Sequence, residues 1–239
     1  MLIWKNCRVC TSEFTVELQN VHLQRQSIFV PLTFCMSCNS FFLTSDYVEN
    51  DDSLSNDTAW LLANPMPEGK AIAQEVIQAG ARRVYEAGCG AGDLLLAFEQ
   101  FGVTAEGVDP NALAIDAAKK RGAKATVGYF ERLPAPVDAI LAVDVMEHVP
   151  DPRSFFRSLV ESVVEGGLIV VRVPEVDQNQ WKYLKGADTA RSAEENGPFN
   201  DNSVHITHFS PRGLQMMAET LGASYVKPLV GYCHLFRRS

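Results

Sequence analysis

One segment constrains this chain more than any other: Glu86-Ala87-Gly88-Cys89-Gly90-Ala91-Gly92-Asp93. It follows Arg83-Val84-Tyr85, which reads as a buried strand running on to Ala87, and it opens Asp93 to Phe101, which reads as a helix. Glycines here let the backbone turn tightly and approach a ligand, and the helix start beyond them presents N–H groups with no intrahelical partner. A strand, a glycine turn and a helix in that order belong to a parallel α/β sheet.

The rest of the chain from about Pro65 agrees. Helices fit residues 68–79, 93–101, 112–121, 151–164 and 211–221, with Gly166-Gly167 ending the fourth. Strands fit 83–87, 103–108, 124–127, 137–143, 168–173, 223–230 and 232–236. Such alternation predicts a Rossmann-like sheet, mostly parallel, covered by helices on both faces. The last two strands meet across a short turn at Gly231, so one of them is expected to run antiparallel. Residues 175–209 are long for a connection and carry Trp181, Tyr183, Phe199, His205 and His208, which suits a substrate lid.

Before about residue 60 the pattern differs. Short β-like runs lie between Cys7-x-x-Cys10 and Cys35-x-x-Cys38, two pairs separated by 24 residues. Two such pairs supply four thiolates to a tetrahedral zinc, at the spacing of a zinc ribbon or knuckle. Four cysteines close the coordination sphere, so the zinc would be structural; a redox pair and unligated thiols are the alternatives. The expected organisation is a zinc-ribbon-like domain over residues 1–60 and an α/β domain over residues 61–239, with 175–209 as its lid.

Composition excludes several classes. With 46% hydrophobic and 21% charged residues, disorder and coiled coil are poor readings. No apolar run reaches the roughly 18–20 residues of a membrane span, and Met1-Leu2-Ile3-Trp4-Lys5 does not look like a secretory signal, so the cytosol is the expected compartment. A net charge of -8 opposes phosphate backbones, and Arg82-Arg83, Lys119-Lys120-Arg121 and Arg237-Arg238 are too short to reverse that.

Two carboxylates select among ligands of the glycine turn. Glu86, just before it, would repel a dinucleotide pyrophosphate and attract a ligand bearing an amine and a sulfonium. Asp109 ends the next strand, where a carboxylate can accept both ribose hydroxyls. Together they favour S-adenosylmethionine over NAD; two solvated strand-end carboxylates are the bland alternative.

Over residues 65–237 the chain resembles the class I S-adenosylmethionine-dependent methyltransferases. The stretches that carry the resemblance are Val84 to Gly92, Gly107-Val108-Asp109-Pro110, Glu131-Arg132-Leu133-Pro134, Val137-Asp138-Ala139-Ile140, Asp144-Val145-Met146-Glu147-His148-Val149 and Gly166-Gly167-Leu168. The resemblance implies a seven-stranded sheet in a three-layer sandwich, with the last strand antiparallel. It implies that Gly88, Cys89, Gly90 and Gly92 approach the methionine part of the cofactor, with Glu86 near its amine. Asp109 and Pro110 would lie at the ribose, Tyr129 and Phe130 beside the adenine, and Asp144 at the same edge. A zinc element ahead of such a domain resembles a bacterial group of small-molecule methyltransferases.

Methyl transfer requires an aligned nucleophile and often a base. His148 follows the fourth strand, where it serves as a base or braces the loop before Pro150. His205 and His208 are three apart and would share a face on a helical turn; His205 is the preferred base, against packing or metal ligation. The leading reading is a methyltransferase acting at oxygen or nitrogen of a small molecule. A nucleic-acid or protein methyltransferase that grips its polymer with the zinc element is one alternative, and a non-catalytic zinc-ribbon adaptor is another. Nothing in the sequence sets the oligomeric state.

Overall fold

The computed structural model describes residues 6–23, 28–44, 65–174 and 205–239. They form two compact units, each drawn from separated parts of the chain. The described residues within Met1–Glu49, Glu147–Arg153 and Pro174–Met217 make up one, and those within Asn50–Met146, Ser154–Val173 and Ala218–Ser239 the other.

The first unit is built on an antiparallel sheet. β1 (Thr15–Leu23) pairs with β2 (Ile28–Cys35), and β2 with β3 (Phe41–Leu43). The two cysteine pairs sit in turns of the same design. Cys7 N donates to Ser12 O and Thr11 N to Cys7 O; in the second turn Cys35 N donates to Ser40 O and Asn39 N to Cys35 O, all at 2.9 Å. Each turn closes on a residue with positive φ, Thr11 at 64° and Asn39 at 63°. The shared backbone pattern aims both pairs of sulfurs inward.

The second unit contains a seven-stranded sheet. In chain order its strands are β4 (Arg83–Ala87), β5 (Thr104–Asp109), β6 (Lys124–Val127), β7 (Val137–Val143), β8 (Val163–Arg172), β10 (Ala223–Pro228) and β11 (His234–Arg238). Their spatial order is β10-β11-β8-β7-β4-β5-β6. β11 runs antiparallel to both neighbours, as the short final turn predicts. The helices of the described residues are α1 (Gly69–Gln78), α2 (Asp93–Gln100) and α3 (Ala112–Lys120), all in this unit, and α4 (Pro152–Glu161) and α5 (Pro211–Thr220), whose residues are shared between the two units.

Hydrophobic spacing explains the packing. α1 buries Ile72, Ala73 and Val76, and α2 buries Leu94, Leu95, Ala97 and Phe98, one face of each helix. These residues share a core cluster with Ala139, Leu141 and Val143 of β7. Ile140 and Ala142 alternate with them and are equally buried, so both sheet faces are covered. Phe156 of α4 meets Phe236 of β11 edge-on, with ring centroids 5.7 Å apart.

The chain turns one way from β4 through β5 to β6, and the other way from β7 to β8. The crevice where that direction reverses lies between the carboxyl ends of β4 and β7, the position at which open α/β sheets bind ligands.

The sequence reading needs three corrections. α4 stops at Glu161, and β8 already begins at Val163. Gly166-Gly167 therefore lies within the strand, at an irregularity where the partner of β7 jumps from Val163 to Leu168. A Cβ on Gly167 would come within 2.7 Å of Val164 O, so the pair permits a local fold of the strand and does not end a helix. At the last turn, Gly231 and Tyr232 adopt φ of 69° and 59°, which delays β11 until His234. Finally, residues 205–209 are not a helical turn: Thr207–His208 forms β9, antiparallel to β3. The remainder of the segment read as a lid, 175–204, lies outside the described residues, with Trp181, Tyr183 and Phe199.

Candidate functional site

The glycine turn is held by its neighbours in the sheet. Gly88 N and Cys89 N both donate to Val108 O, at 2.8 and 3.1 Å, and Gly90 N donates to Asp109 Oδ2 at 2.9 Å. Asp109 Oδ1 accepts from Asn111 N at 2.8 Å, and Asn111 in turn caps α3 by accepting from Leu113 N and Ala114 N. The carboxylate of Asp109 thus ties the glycine turn to the start of the next helix. Pro110 follows it, half-buried.

Close approach requires missing side chains at Gly88 and Gly107, and at Gly92, where a Cβ would lie 2.9 Å from Ala123 Cβ. Gly88 has φ of 77°, and a Cβ there would lie 2.3 Å from Val145 Cγ2. Gly107 has ordinary φ, yet a Cβ on it would lie 2.7 Å from Cys89 Cβ and 2.9 Å from its sulfur. Gly107 therefore makes room for the turn from the adjacent strand. Cys89 is buried, and burial pushes its thiol well above the ordinary range, which leaves it a small packing residue. Gly92, at φ of 80°, caps α2. Asp93 faces away into structure: its carboxylate accepts from Met66 N at 3.1 Å and pairs with Arg121 at 2.5 Å.

Glu86 is 4% exposed, and its Oε2 has no hydrogen-bond partner among the described residues. Burial pushes its carboxyl up to about 8, with Asp109 and Asp93 adding to the rise and Arg172 opposing it. Burial also raises Asp109, against the hydrogen bonds from Asn111 and Gly90. Two carboxylates beside one glycine turn are thus each pushed towards the neutral form.

At the end of β7, Asp144 adopts φ of 55° and pairs with Arg172 of β8. Arg172 Nε donates to both carboxylate oxygens, at 2.9 and 3.1 Å, and Nη2 makes a further bond to Oδ2. Asp144 is thereby committed to a two-pronged ion pair, and Arg172 is a part of this edge that the sequence reading missed. Tyr129 is 74% exposed. Phe130 packs between Tyr85 and Phe155, with ring centroids 6.1 and 5.7 Å away.

The first unit holds His148, His205 and His208. Glu147 is buried, and its backbone carbonyl accepts from Ile206 N at 2.8 Å and Thr207 N at 3.2 Å. This joins the segment after β7 to the segment around β9. The rings of His148 and His205 meet edge-on with centroids 4.8 Å apart, and His208 lies 6.0 Å from His205. Sequence reasoning named His148 and His205 but gave no role to Glu147, because no spacing rule links residues so far apart in the chain.

The same unit gathers the four cysteines. Cys7 Sγ lies 3.6 Å from Cys38 Sγ, and Cys10 Sγ lies 3.5 Å from Cys35 Sγ. All four sulfurs fall within 4.8 Å of one another. A disulfide would need about 2.05 Å, so these are four separate thiols. Bonds of about 2.3 Å to a tetrahedral zinc would space the sulfurs about 3.8 Å apart, which the cluster fits. Without a cation the cluster favours one thiolate: Cys38, accepting from Cys7 and Ser40, is held at about 5, while the contact with Cys38 and burial push Cys7 far up, and burial lifts Cys10 to about 12. Ser210 anchors α5 here, its hydroxyl donating to Cys38 O and accepting from Gly213 N at 2.9 Å.

An open sheet with a glycine turn and two carboxylates at its switch point defines an α/β domain of the kind that binds nucleotide-derived cofactors. A family model described as a methyltransferase domain matches residues 61–227, and the chain belongs to that family. The ubiquinone biosynthesis O-methyltransferase of Schizosaccharomyces pombe is 32% identical over 101 residues, covering 38% of this chain and 37% of its own length. The trans-aconitate 2-methyltransferase of Rhizobium etli is 27% identical over 152 residues, covering 61% of this chain and 58% of its own. The chain thus spans less than two thirds of these curated relatives. Among solved structures, the CcbJ methyltransferase of Streptomyces caelestis superposes with a TM-score of 0.59 at 15% identity, over 80% of this chain and 100% of that one, which shows a shared fold.

The raised Glu86 carboxyl has a consequence for stability. Its folded value lies above its unfolded one, so between about pH 4.5 and 8 the folded state holds more of this proton. Stability from this group is therefore present at low pH and is lost as pH rises through that window. Glu86→Gln keeps the shape and removes the titration. Urea unfolding of both proteins at pH 5 and pH 8 should show the variant gaining on the wild type by on the order of a few kcal/mol at pH 8; an equal difference at both pH values contradicts the assignment.

Proposed function

We propose that the protein transfers a methyl group from S-adenosylmethionine to an oxygen or nitrogen of a small-molecule acceptor. The observation that carries the reading is Glu86: a buried carboxylate with an unpartnered oxygen, beside a glycine turn at the switch point of the sheet. That donor set fits a cationic amino-acid moiety and opposes a pyrophosphate. When bound, S-adenosylmethionine supplies an electrophilic methyl carbon on a sulfonium sulfur, which keeps the electron pair of the broken bond.

The residues of this chain do the rest. Gly88, Cys89, Gly90 and Gly92 offer backbone at close range, Asp109 and Pro110 border the ribose, and Tyr129 and Phe130 flank the adenine. The carboxylate of Asp144, held by Arg172, braces the end of β7 at the same edge. The acceptor's O–H or N–H proton passes to His205, with His148 beside it, and the pair left on the acceptor atom attacks the methyl carbon. The acidic net charge, -8, and relatives named for ubiquinone biosynthesis and trans-aconitate methylation support a small acceptor.

Cys7, Cys10, Cys35 and Cys38 hold one structural zinc in the zinc-ribbon-like domain of residues 1–60, ahead of the catalytic domain of residues 61–239. Among the described residues no helix is long and apolar enough to cross a membrane. The four clustered thiols suit a reducing compartment, and we assign the protein to the cytosol.

Radiolabelled methyl donor offered with a panel of small phenols, carboxylic acids and amines tests the activity. On the acceptor so found, His205→Ala should bind S-adenosylhomocysteine as the wild type does and lose about 10²–10⁴-fold in turnover. Full turnover in that variant removes His205 as the base. Protein purified without chelator should carry about one zinc per chain by emission spectrometry, and Cys35→Ser well under half of that; a wild type free of zinc contradicts the metal assignment.

A further inference from the structure

Glu147 is placed for more than filling space. Its side chain is 1% exposed, and its Oε1 lies 3.9 Å from His148 Nε2 and 4.0 Å from His205 Nε2. One carboxylate oxygen therefore faces both imidazoles, whose rings are 4.8 Å apart. The main chain secures the arrangement. The carbonyl of Glu147 receives two N–H groups from the segment that carries His205, and Ile206 O accepts from Leu43 N at 2.9 Å, which ties that segment to β3. The ring of His208 lies beyond that of His205, with centroids 6.0 Å apart, and the buried guanidinium of Arg8 donates to Pro150 O in the same turn.

A bound metal is one use for such a set, because the donor atoms of Glu147, His148 and His205 all lie within 4.8 Å. The spacing is wider than that of adjacent ligands on one ion. Metal–nitrogen and metal–oxygen bonds of about 2.0–2.2 Å place neighbouring donors about 2.9–3.6 Å apart. The carboxylate-to-imidazole distances here are wider, 3.9 and 4.0 Å. They suit charges that attract across a gap, with the rings poised edge-on to each other.

We propose that Glu147 is the positioning residue of the histidine pair: its buried carboxylate orients both rings and stabilises the imidazolium that forms when His205 takes the acceptor's proton. The proposal rests on the base role given to His205 above. An opposite charge at this range favours the protonated ring. A third group that orients a base and stabilises its charged form follows the logic of catalytic triads, without itself taking the proton.

The test reads the rings directly and needs no acceptor. The chain has five histidines, so nuclear magnetic resonance of protein labelled at histidine, with single His→Gln variants for assignment, follows each ring through a pH titration. In the zinc-loaded wild type, the titration gives the midpoint at which the His148–His205 pair takes up its first proton. In Glu147→Gln that midpoint should fall by about one pH unit or more. Glu147→Asp, which keeps the charge but withdraws it by one methylene, should fall between them, and it serves where the Gln variant does not fold. Midpoints that stay put in a folded variant overturn the proposal. So does selective broadening of the His148 and His205 signals by substoichiometric Mn²⁺, which would make Glu147 a metal ligand. A shifted midpoint in a protein that methylates nothing would leave the charge pair standing and remove the methyltransferase reading instead.

Discussion

A carboxylate buried at the end of β4 sets the terms for everything around it. Glu86 is surrounded by groups that make its charge costly, and Asp109 and Asp93 add to that cost. The glycine turn beside it is not loose backbone: Val108 O, Asp109 and the bare Cα of Gly107 define where it runs. Sheet, turn and carboxylates thus form one device, in which the strand order creates the crevice and the missing side chains let the turn pack against Val145 and let Gly107 accept Cys89.

The other unit solves a different problem. Its interior buries Leu32, Phe41, Phe42 and Phe209, and the cysteines add a cluster of four thiols to it. Two turns of identical hydrogen-bonding pattern bring four sulfurs together, and Ser210 joins the start of α5 to the second turn. The same unit takes in the segment after β7 and the segment around β9, so the histidines share a frame with the cysteines. Described residues of 147–153 and 205–217 fall in the same compact unit as the cysteine turns.

Much of this was legible in the sequence, for identifiable reasons. β4, β6 and β7 matched at both ends, because short apolar runs bounded by turn residues leave little freedom. The glycine turn and its two carboxylates were legible because strand, glycines and helix start lie side by side in the chain. Gly166-Gly167 misled, since a helix stop and an irregular strand use the same residue. Arg172, Gly107 and Glu147 were missed because each acts through a partner distant in sequence: Asp144, Cys89 and the histidine pair. Pairing across strands and between segments is set by the fold, and spacing along the chain does not report it.

The central claim is that this turn binds a cationic, adenosyl-bearing donor and not a dinucleotide. Calorimetric titration of the zinc-loaded protein with S-adenosylmethionine, and in parallel with NAD, tests it most directly. The account predicts one S-adenosylmethionine site per chain, weakened at least tenfold in Glu86→Gln, and no heat of binding with NAD. Saturable binding of NAD, or S-adenosylmethionine binding that ignores the loss of the Glu86 charge, would contradict it.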